Sequence, residues 1–442
     1  MFTKAQTILR DLGNGLVMRR STSADAEALA EFHGQIHGEN EADRQRVAAW
    51  TRDLVARPHP TFHPDDFIIV EETSTGRIVS SLSLIPQTWT YEGIEFGVGR
   101  PELVATLPEF RDRGLIRLQF EEVHKWSVER GLLVQIITGI PYYYRLFGYE
   151  MALDLDGGRT GYEANVPRLK EGQAEESFCF RPASESDIPF IMEMDQASAS
   201  RSLISAVRDV VTWKYELGGR SENNIHNEDL EVIERMDSQE PVGVLARLHS
   251  FGNHALRYEL KPGISWLDVT PGVVRYLWNI AKQMPAEAGK TQSSFTFLLG
   301  AEPPVYQALG NDLPGFRKPY AYFMRVADLI GFIRLIAPVL EQRLASSIAP
   351  GYSGELKISF YRGGMHLLFE KGKIQVEAWK PTPAEWGNAA FPDLTFLQIL
   401  FGYRSFAELH QSFADCWWKT EKDRALIDIL FPKKHSHVIG IA

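Results

Sequence analysis

The residues best equipped for chemistry stand together between Val104 and Arg117, where the chain reads Val-Ala-Thr-Leu-Pro-Glu-Phe-Arg-Asp-Arg-Gly-Leu-Ile-Arg. A short apolar strand, Leu103 to Leu107, runs into a turn set by Pro108. The arginine-rich segment Arg111-Asp112-Arg113-Gly114 follows. A helical pattern comes next, with Ile116, Phe120 and Val123 at i, i+4 and i+7 and Gly131 as C-cap. Strand, glycine-bearing loop and helix N-terminus in this order gather unpaired backbone N–H groups and the positive helix end around an anion. Arg111, Arg113 and Arg117 add side-chain charge, so the expected ligand is a phosphate or pyrophosphate.

The elements that must hold this loop alternate between strand and helix. Leu16 to Arg20 reads as a strand, and Ser21-Thr-Ser-Ala-Asp25 offers N-caps for a helix through His37. Asp66 to Glu71 and Arg77 to Leu84 read as strands joined by the turn Thr73-Ser-Thr-Gly76. A strand from Leu132 to Thr138 follows the helix, and then an aromatic run from Gly139 to Tyr149. A charged stretch from Arg168 to Ser177 reads as a linker. Beyond it the chain starts again. Arg19 and Asp25 match Arg181 and Asp187, and Tyr144 and Gly148 match Tyr306 and Gly310, all at a separation of 162. One shift linking both ends of two segments marks a duplicated domain. Opposite the arginine loop the second copy has Thr270 to Leu277, which keeps a proline but lacks Arg-x-x-Gly, so this copy is expected to have lost the ligand site. After Arg325 a helix carries Leu329, Ile333, Ile336 and Leu340 on one face, bent or broken at Pro338. Leu356, Ile358 and Phe360, and again Ile374, Val376 and Ala378, alternate with polar residues as in a half-buried antiparallel sheet. Helical stretches at Leu394 to Leu400 and Lys422 to Leu430 complete a small α+β domain. The expected segments are 1–165, 178–325 and 326–442.

Composition narrows the function classes. A chain of 442 residues, 44% hydrophobic and 24% charged, is an ordinary globular protein of about three domains. No apolar run approaches bilayer length, and the first sixteen residues lack a signal-peptide core, so cytoplasmic placement without a membrane is expected. A net charge of -10 argues against nucleic-acid partners. Two distant cysteines, Cys179 and Cys416, form no disulfide framework or zinc spacing, and no metal site is expected. Trp50, Phe62 and Trp89 are read as core before pocket lining.

The block Val104 to Arg117, together with Tyr-Arg-Leu-Phe-Gly-Tyr at 144–149, resembles the GCN5-related N-acetyltransferase (GNAT) superfamily. The superfamily pattern Arg/Gln-x-x-Gly-x-Gly/Ala appears as Arg111-Asp-Arg-Gly114-Leu-Ile116, with Ile116 departing from the usual small residue. Arg-Gly-Leu-Ile-Arg is similar to the bacterial enhanced intracellular survival (Eis) branch. That branch has two tandem acetyltransferase domains, the second degenerate, and then a sterol-carrier-protein-like domain. The resemblance therefore implies an α/β (α+β) fold class: two tandem GNAT domains followed by a small sterol-carrier-protein-like α+β domain. It implies acetyl-CoA as co-substrate, no metal, and a homo-oligomer, with hexamers among relatives. It places the pantetheine arm along Val104, Ala105 and Thr106. The pyrophosphate falls on the amides of Asp112 to Arg117 (Asp112, Arg113, Gly114, Leu115, Ile116 and Arg117) beside Arg111, and the thioester near Thr138 and Gly139.

Acetyl transfer to an amine needs a neutral amine, an oxyanion donor and an acid for the departing thiolate. Tyr144 matches the family's general acid. The general base is either the main-chain carboxylate of Ala442 or Glu102. Glu102 has a rival role as the ion-pair partner of Arg100. The implied function is N-acetylation of a small primary amine, aminoglycoside-like or polyamine. The alternatives are a protein or peptide lysine as acceptor, or a non-catalytic protein that binds acyl-CoA or lipid.

Overall fold

The computed structural model describes residues 7–169, 175–284 and 294–442, so the linker read between Arg168 and Ser177 lies partly outside the described residues. The first stretch contains β1 (Ile8–Gly13), β2 (Leu16–Arg20), α1 (Ala26–His37), α2 (Glu41–Ala56), β3 (Phe67–Glu72), β4 (Arg77–Tyr91), β5 (Ile94–Thr106), α3 (Leu115–Glu129), β6 (Val134–Ile137) and β7 (Glu150–Leu155). The second contains β8 (Gly158–Tyr162), β9 (Phe178–Pro182), α4 (Ile188–Ala199), β10 (Ile204–Ala206), α5 (Val210–Gly218), β11 (Glu228–Arg235), β12 (Pro241–Leu248), β13 (Phe251–Leu260), α6 (Trp266–Gln283), β14 (Ser294–Phe297), α7 (Val305–Leu309), β15 (Gly315–Arg317) and β16 (Tyr320–Val326). The third contains α8 (Leu329–Ala345), β17 (Gly354–Ser359), β18 (Gly364–Glu370), β19 (Lys373–Trp379), β20 (Ala389–Ala390), α9 (Phe396–Leu400), α10 (Phe406–Ser412), β21 (Trp417–Trp418) and α11 (Glu421–Leu430).

Among the described residues these strands form three mixed α/β sheets. The first runs β1-β2-β3-β4-β5-β6-β16-β7, with β10 paired to β4; the second runs β15-β8-β14-β13-β12-β11-β9; the third runs β19-β18-β17-β20-β21. Strands cross between the sheets. β8, which precedes position 165, pairs with β14 in the second sheet, and β16 returns to lie between β6 and β7 in the first. Sheet membership thus crosses the positions 165 and 325 at which the sequence pattern divides the chain.

The offset of 162 recurs in three dimensions. Strands β2 and β9 and helices α1 and α4 are related by it residue for residue. In the first copy the Arg19 guanidinium donates to both oxygens of Asp25, at 3.0 and 2.7 Å, and to Glu71 at 2.8 Å. In the second, Arg181 does the same to Asp187, at 2.8 and 2.7 Å, and to Glu234 at 2.7 Å. Each aspartate also accepts from the residue three before it, Thr22 or Ser184, and so fixes the entry into its helix. The motif that reveals the repeat is a helix-start clamp.

Several expectations are corrected here. Thr270 to Leu277 is not a loop: it lies within α6, which carries Pro271 in its interior. Helix α8 runs unbroken through Pro338, because Phe332, Ile333, Ile336 and Leu340 are packed into one large core with Phe96, Ile136 and Leu367. The turn at Arg362–Gly364 leads straight into β18, a middle strand that the sequence pattern passed over; Met365, Leu367 and Phe369 face the core. β4 continues seven residues past Leu84, to Tyr91.

Residues 431–442 form a strap across all three stretches. Leu203 N–H donates to His435 O, Tyr322 Oη to Val438 O at 3.2 Å, and Gln87 Nε2 to Ile441 O at 2.8 Å. His435 Nδ1 meets Asp154 Oδ2 at 2.6 Å, and this bond raises the imidazole pKa above its ordinary 6.5. A raised folded-state pKa gives stability that is complete below the unfolded value and is lost as pH rises through the folded one. Hydrogen exchange of residues 435–442 is therefore expected to be slow below about pH 6.5 and to accelerate above the raised value. An Asp154→Asn variant should abolish that pH dependence. The two clamps also differ: Arg19 is 4% exposed and Arg181 39%. Denaturant melts are expected to show a loss of about 3 kcal/mol for Arg19→Ala, which strands buried carboxylates. Arg181→Ala should lose about 1 kcal/mol.

Candidate active site

The site begins where two strands part. β5 and β6 pair in parallel at only Val98–Val134 and Gly99–Gln135, yet β5 continues to Thr106 and β6 to Ile137. The outer edge of β6 is filled by β16 along all four residues, and the outer edge of β5 by β4. The facing edges are therefore open to an extended ligand arm, which can pair with them as an added strand does. Leu107 N–H donates to Val79 O and Ala105 O accepts from Ser80 Oγ, so these residues turn toward β4. By the alternation of strand backbone, Val104 and Thr106 turn into the wedge while Ala105 turns away from it.

A bulge sets this aim. Ser81 faces Ala105 and Ser83 faces Glu102, so two steps on β4 oppose three on β5. Leu103 takes up the difference at φ 53°, in the left-handed region. Leu103 and Ala105 are thereby buried among Phe62, Ile69 and Ile85, while Glu102, Val104 and Thr106 remain half-buried.

Beyond the wedge the chain makes a short 3-10 turn at Pro108–Phe110 and enters α3 through Gly114, at φ 74°. No side chain caps this helix, so the N–H groups of Leu115, Ile116 and Arg117 are left without helical partners. Arg111 donates to Thr106 O at 3.3 Å, Arg113 stacks 4.6 Å from the Phe110 ring centre, and Arg117 lies 5.7 Å from that of Phe147. Among the described residues none of these three arginines has a carboxylate partner, and Arg111, Asp112, Arg113, Gly114 and Arg117 are exposed. The loop is an open cationic cradle at one end of the wedge, fit for a pyrophosphate.

At the other end stands Tyr144. It is 5% exposed, ringed by Phe120, Tyr143, Tyr149 and Phe323, and its hydroxyl bonds no described protein group. Burial, and then the Glu102 carboxylate and Tyr143, push the phenol well above its usual range, so it stays protonated. Gly139, at φ 128°, lies against this ring: a Cβ there would sit 3.4 Å from Tyr144 Oη. Thr138 precedes it at the open end of β6.

Glu102 occupies the acceptor side, where Arg100 Nε donates to it at 2.8 Å. Both the ion pair and the proximity to Tyr144 are thus realised. Arg100 also donates to Ile441 O at 3.2 Å, and Arg220 to Ala442 O at 3.1 Å. The strap so delivers Ala442, 2% exposed, into the core beside Leu103, Ala105, Trp50 and Phe62. Trp89 lies in a different core, against Tyr322.

Two residues were missed. His33 and His37 stack at 5.5 Å on α1, with His33 Nε2 3.3 Å from Ser81 Oγ. Burial holds the His33 imidazole well below 6.5; His37 beside it is exposed, and the protein around it lowers its pKa while the Glu102 carboxylate pulls it back upward. Their i, i+4 spacing on a helix face was the available signal.

Residues 17–152, which span the wedge, the arginine cradle and Tyr144, match the family model described as an acetyltransferase (GNAT) domain. The protein is an acyltransferase. No curated protein sequence matches the chain. Among solved structures it is similar to a GCN5-related N-acetyltransferase from Anabaena variabilis, at 14% identity and a TM-score of 0.63 over 97% of this chain and all of that one (100%). A second, from Kribbella flavida, gives 14% identity and a TM-score of 0.61 over 95% and 96% of the two chains. Eis1 from Mycobacterium abscessus gives 11% and 0.56 over 95% and 98%. These likenesses extend the shared fold over nearly the whole chain. No described helix is long and apolar enough to cross a membrane, and no described cluster of His, Cys, Asp or Glu has metal-binding geometry.

Gly139→Ala is expected to cost about 1–3 kcal/mol through its backbone conformation alone. Its methyl group would meet the Tyr144 ring at 3.4 Å, an ordinary contact distance, so the loss of turnover should follow the loss of stability. Urea melts and steady-state rates on the same sample check both.

Proposed function

We propose that the protein transfers the acetyl group of acetyl-CoA to a primary amine of a small molecule by direct attack. The observation that carries this is one open wedge with the cationic, uncapped start of α3 at one end and the protonated phenol of Tyr144 at the other. In this reading Val104 and Thr106 hold the pantetheine arm by main-chain bonds. The amides from Asp112 to Arg117, with Arg111, hold the pyrophosphate, and Thr138 and Gly139 border the thioester. The amine nitrogen attacks the acetyl carbonyl carbon, the base accepts the amine proton, and the C–S bond breaks as Tyr144 protonates the leaving thiolate. A main-chain N–H of the bulged strand stabilises the oxyanion.

Glu102 is the base this geometry favours, with the main-chain carboxylate of Ala442 as its rival. The Ala442 oxygen is taken up by the Arg220 guanidinium, whereas the field of Glu102 reaches both Tyr144 and His37. In the same proposal residues 178–325 are a degenerate second GNAT domain, supported by the shared clamp and the 162-residue offset. Residues 326–442 are a sterol-carrier-protein-like domain. Cytoplasmic placement rests on the composition of the chain, and a homo-oligomeric assembly and an aminoglycoside-like or polyamine acceptor rest on the sequence resemblance.

Free CoA released from acetyl-CoA in the presence of a panel of polyamines and aminoglycosides is the direct test. Tyr144→Phe is expected to lower kcat by about two to four orders of magnitude while leaving cofactor affinity little changed. An unchanged rate would remove Tyr144 from the mechanism. Glu102→Gln should suppress the rate, and removal of residues 441–442 should not. The reverse pattern assigns the base to Ala442. Binding of acetyl-CoA without turnover on any amine would favour a carrier.

A further inference from the structure

The second repeat retains a cleft of its own. β13 and β14 pair in parallel only at His254–Thr296 and Ala255–Phe297, repeating the brief contact of β5 with β6. Counting from those pairs, Tyr258 stands where Glu102 stands in the first copy. It is fastened to Thr270 in α6 by a 3.0 Å bond and packs on Trp266. Helix α6 thus runs through the ground that the arginine cradle occupies in the first copy. What it leaves on the acceptor side is a cavity of about 600 Å³, within the range of small-molecule sites. Ile191, Met194, Trp213, Leu256 and Leu299 give it an apolar wall.

One cation on that wall has its nearest carboxylates outside hydrogen-bonding reach, with Asp195 Oδ1 4.0 Å from Arg208 Nη1. Arg208 has a side chain 3% exposed, and its Nε–H is buried with no hydrogen-bond acceptor. Glu216 Oε1 lies 3.7 Å from this nitrogen, beyond hydrogen-bonding reach. Nη2 of the same guanidinium donates to Ile439 O in the strap. The other cations of the wall are committed: Arg257 to Glu228 at 2.9 Å, Arg201 to Glu259 and Lys434 to Glu92 at 2.8 Å. A buried guanidinium with an unused N–H leaves a desolvation cost that an added anion offsets. Burial, and then the neighbouring Arg257, hold Arg208 below its ordinary pKa, against the opposing pull of Asp195, Glu216 and Glu228.

We propose that this cavity binds a small molecule with a single carboxylate and an apolar body, its carboxylate on Arg208. A doubly charged phosphate fits less well, since Asp195, Glu259 and Glu302 share the wall. The occupant touches the strap three residues before Ala442, and so lies behind the first site. This assignment goes beyond the transferase reading and stands without it.

Isothermal calorimetry of the full chain with decanoate, decanol and decylamine tests it. Decanoate is expected to bind one per chain, about tenfold or more tighter than decanol, the size of one charge-assisted bond, with decylamine weakest. Arg208→Gln should bring decanoate down to the affinity of decanol. Ala301→Trp, which fills the cavity and removes no charge, should abolish binding and keeps the test decisive if Arg208→Gln fails to fold. Decanoate binding no tighter than decanol, binding that survives Ala301→Trp, or no heat at millimolar decanoate would each overturn the proposal.

Discussion

The separation of β5 from β6 after a single pair of ladder steps is the constraint from which the rest of the site follows. A parallel pair of this kind normally continues as far as both strands last, because each unpaired N–H and C=O carries a desolvation cost. Here it stops at Gly99 and Gln135. β6 is anchored from its other side by β16, which arrives from residues 320–326 after the entire second repeat has folded back. β5 is anchored by the long β4 ladder and turned by the Leu103 bulge. Two strands held by different neighbours diverge, and the open edges between them are the binding surface. The fold therefore builds its site from a strand exchange between repeats, and neither repeat alone supplies it.

That origin explains which parts were legible in the sequence. The arginine cradle, the α3 pattern and the Arg19–Asp25 clamp are local: spacing within a dozen residues fixes them, and reading the chain in one direction finds them. The offset of 162 was legible because the helix-start clamp must be repeated atom for atom to work. The insertion of β16 was not legible, since nothing in Tyr320–Val326 distinguishes one open strand edge from another. The missed His33 and His37 have a similar cause. Their place beside Ser81 and Glu102 is set by how α1 lies on the sheet, and their spacing alone reads as an ordinary helix face. Thr270 to Leu277 misled because its proline matched that of the cradle. The proline did not mark a turn here: α6 carries Pro271 in its interior, where it removes one backbone donor.

The strap joins these consequences. It begins in the third stretch, passes Asp154 and Leu203, and ends between Arg100 and Arg220. Its last residues lie in a row of buried ion pairs that runs from Glu102 and Arg100 to Arg220, Glu216 and Arg208. Such a row is costly to desolvate, and isolated buried pairs seldom stabilise a fold more than apolar packing would. What a connected row gains is register: each guanidinium accepts one arrangement of the carboxylates and carbonyls around it. The strap can thus reach the first site only in the alignment that all five residues share.

This row also orders the two clefts. In the first copy Glu102, paired with Arg100, lies near a phenol that stays protonated. In the second, Tyr258 takes the same station and spends its hydroxyl on Thr270. A carboxylate and a phenol therefore stand near one another in the first cleft, and the second has a tyrosine in place of the carboxylate. Divergence acted on which helix follows the bulged strand. A short cradle before α3 leaves the wedge open to a phosphate-bearing arm, and the long α6 fills that path and leaves only the acceptor side hollow. The chemistry of the chain is then decided by a helix start, the one local feature that differs between two copies of the same frame.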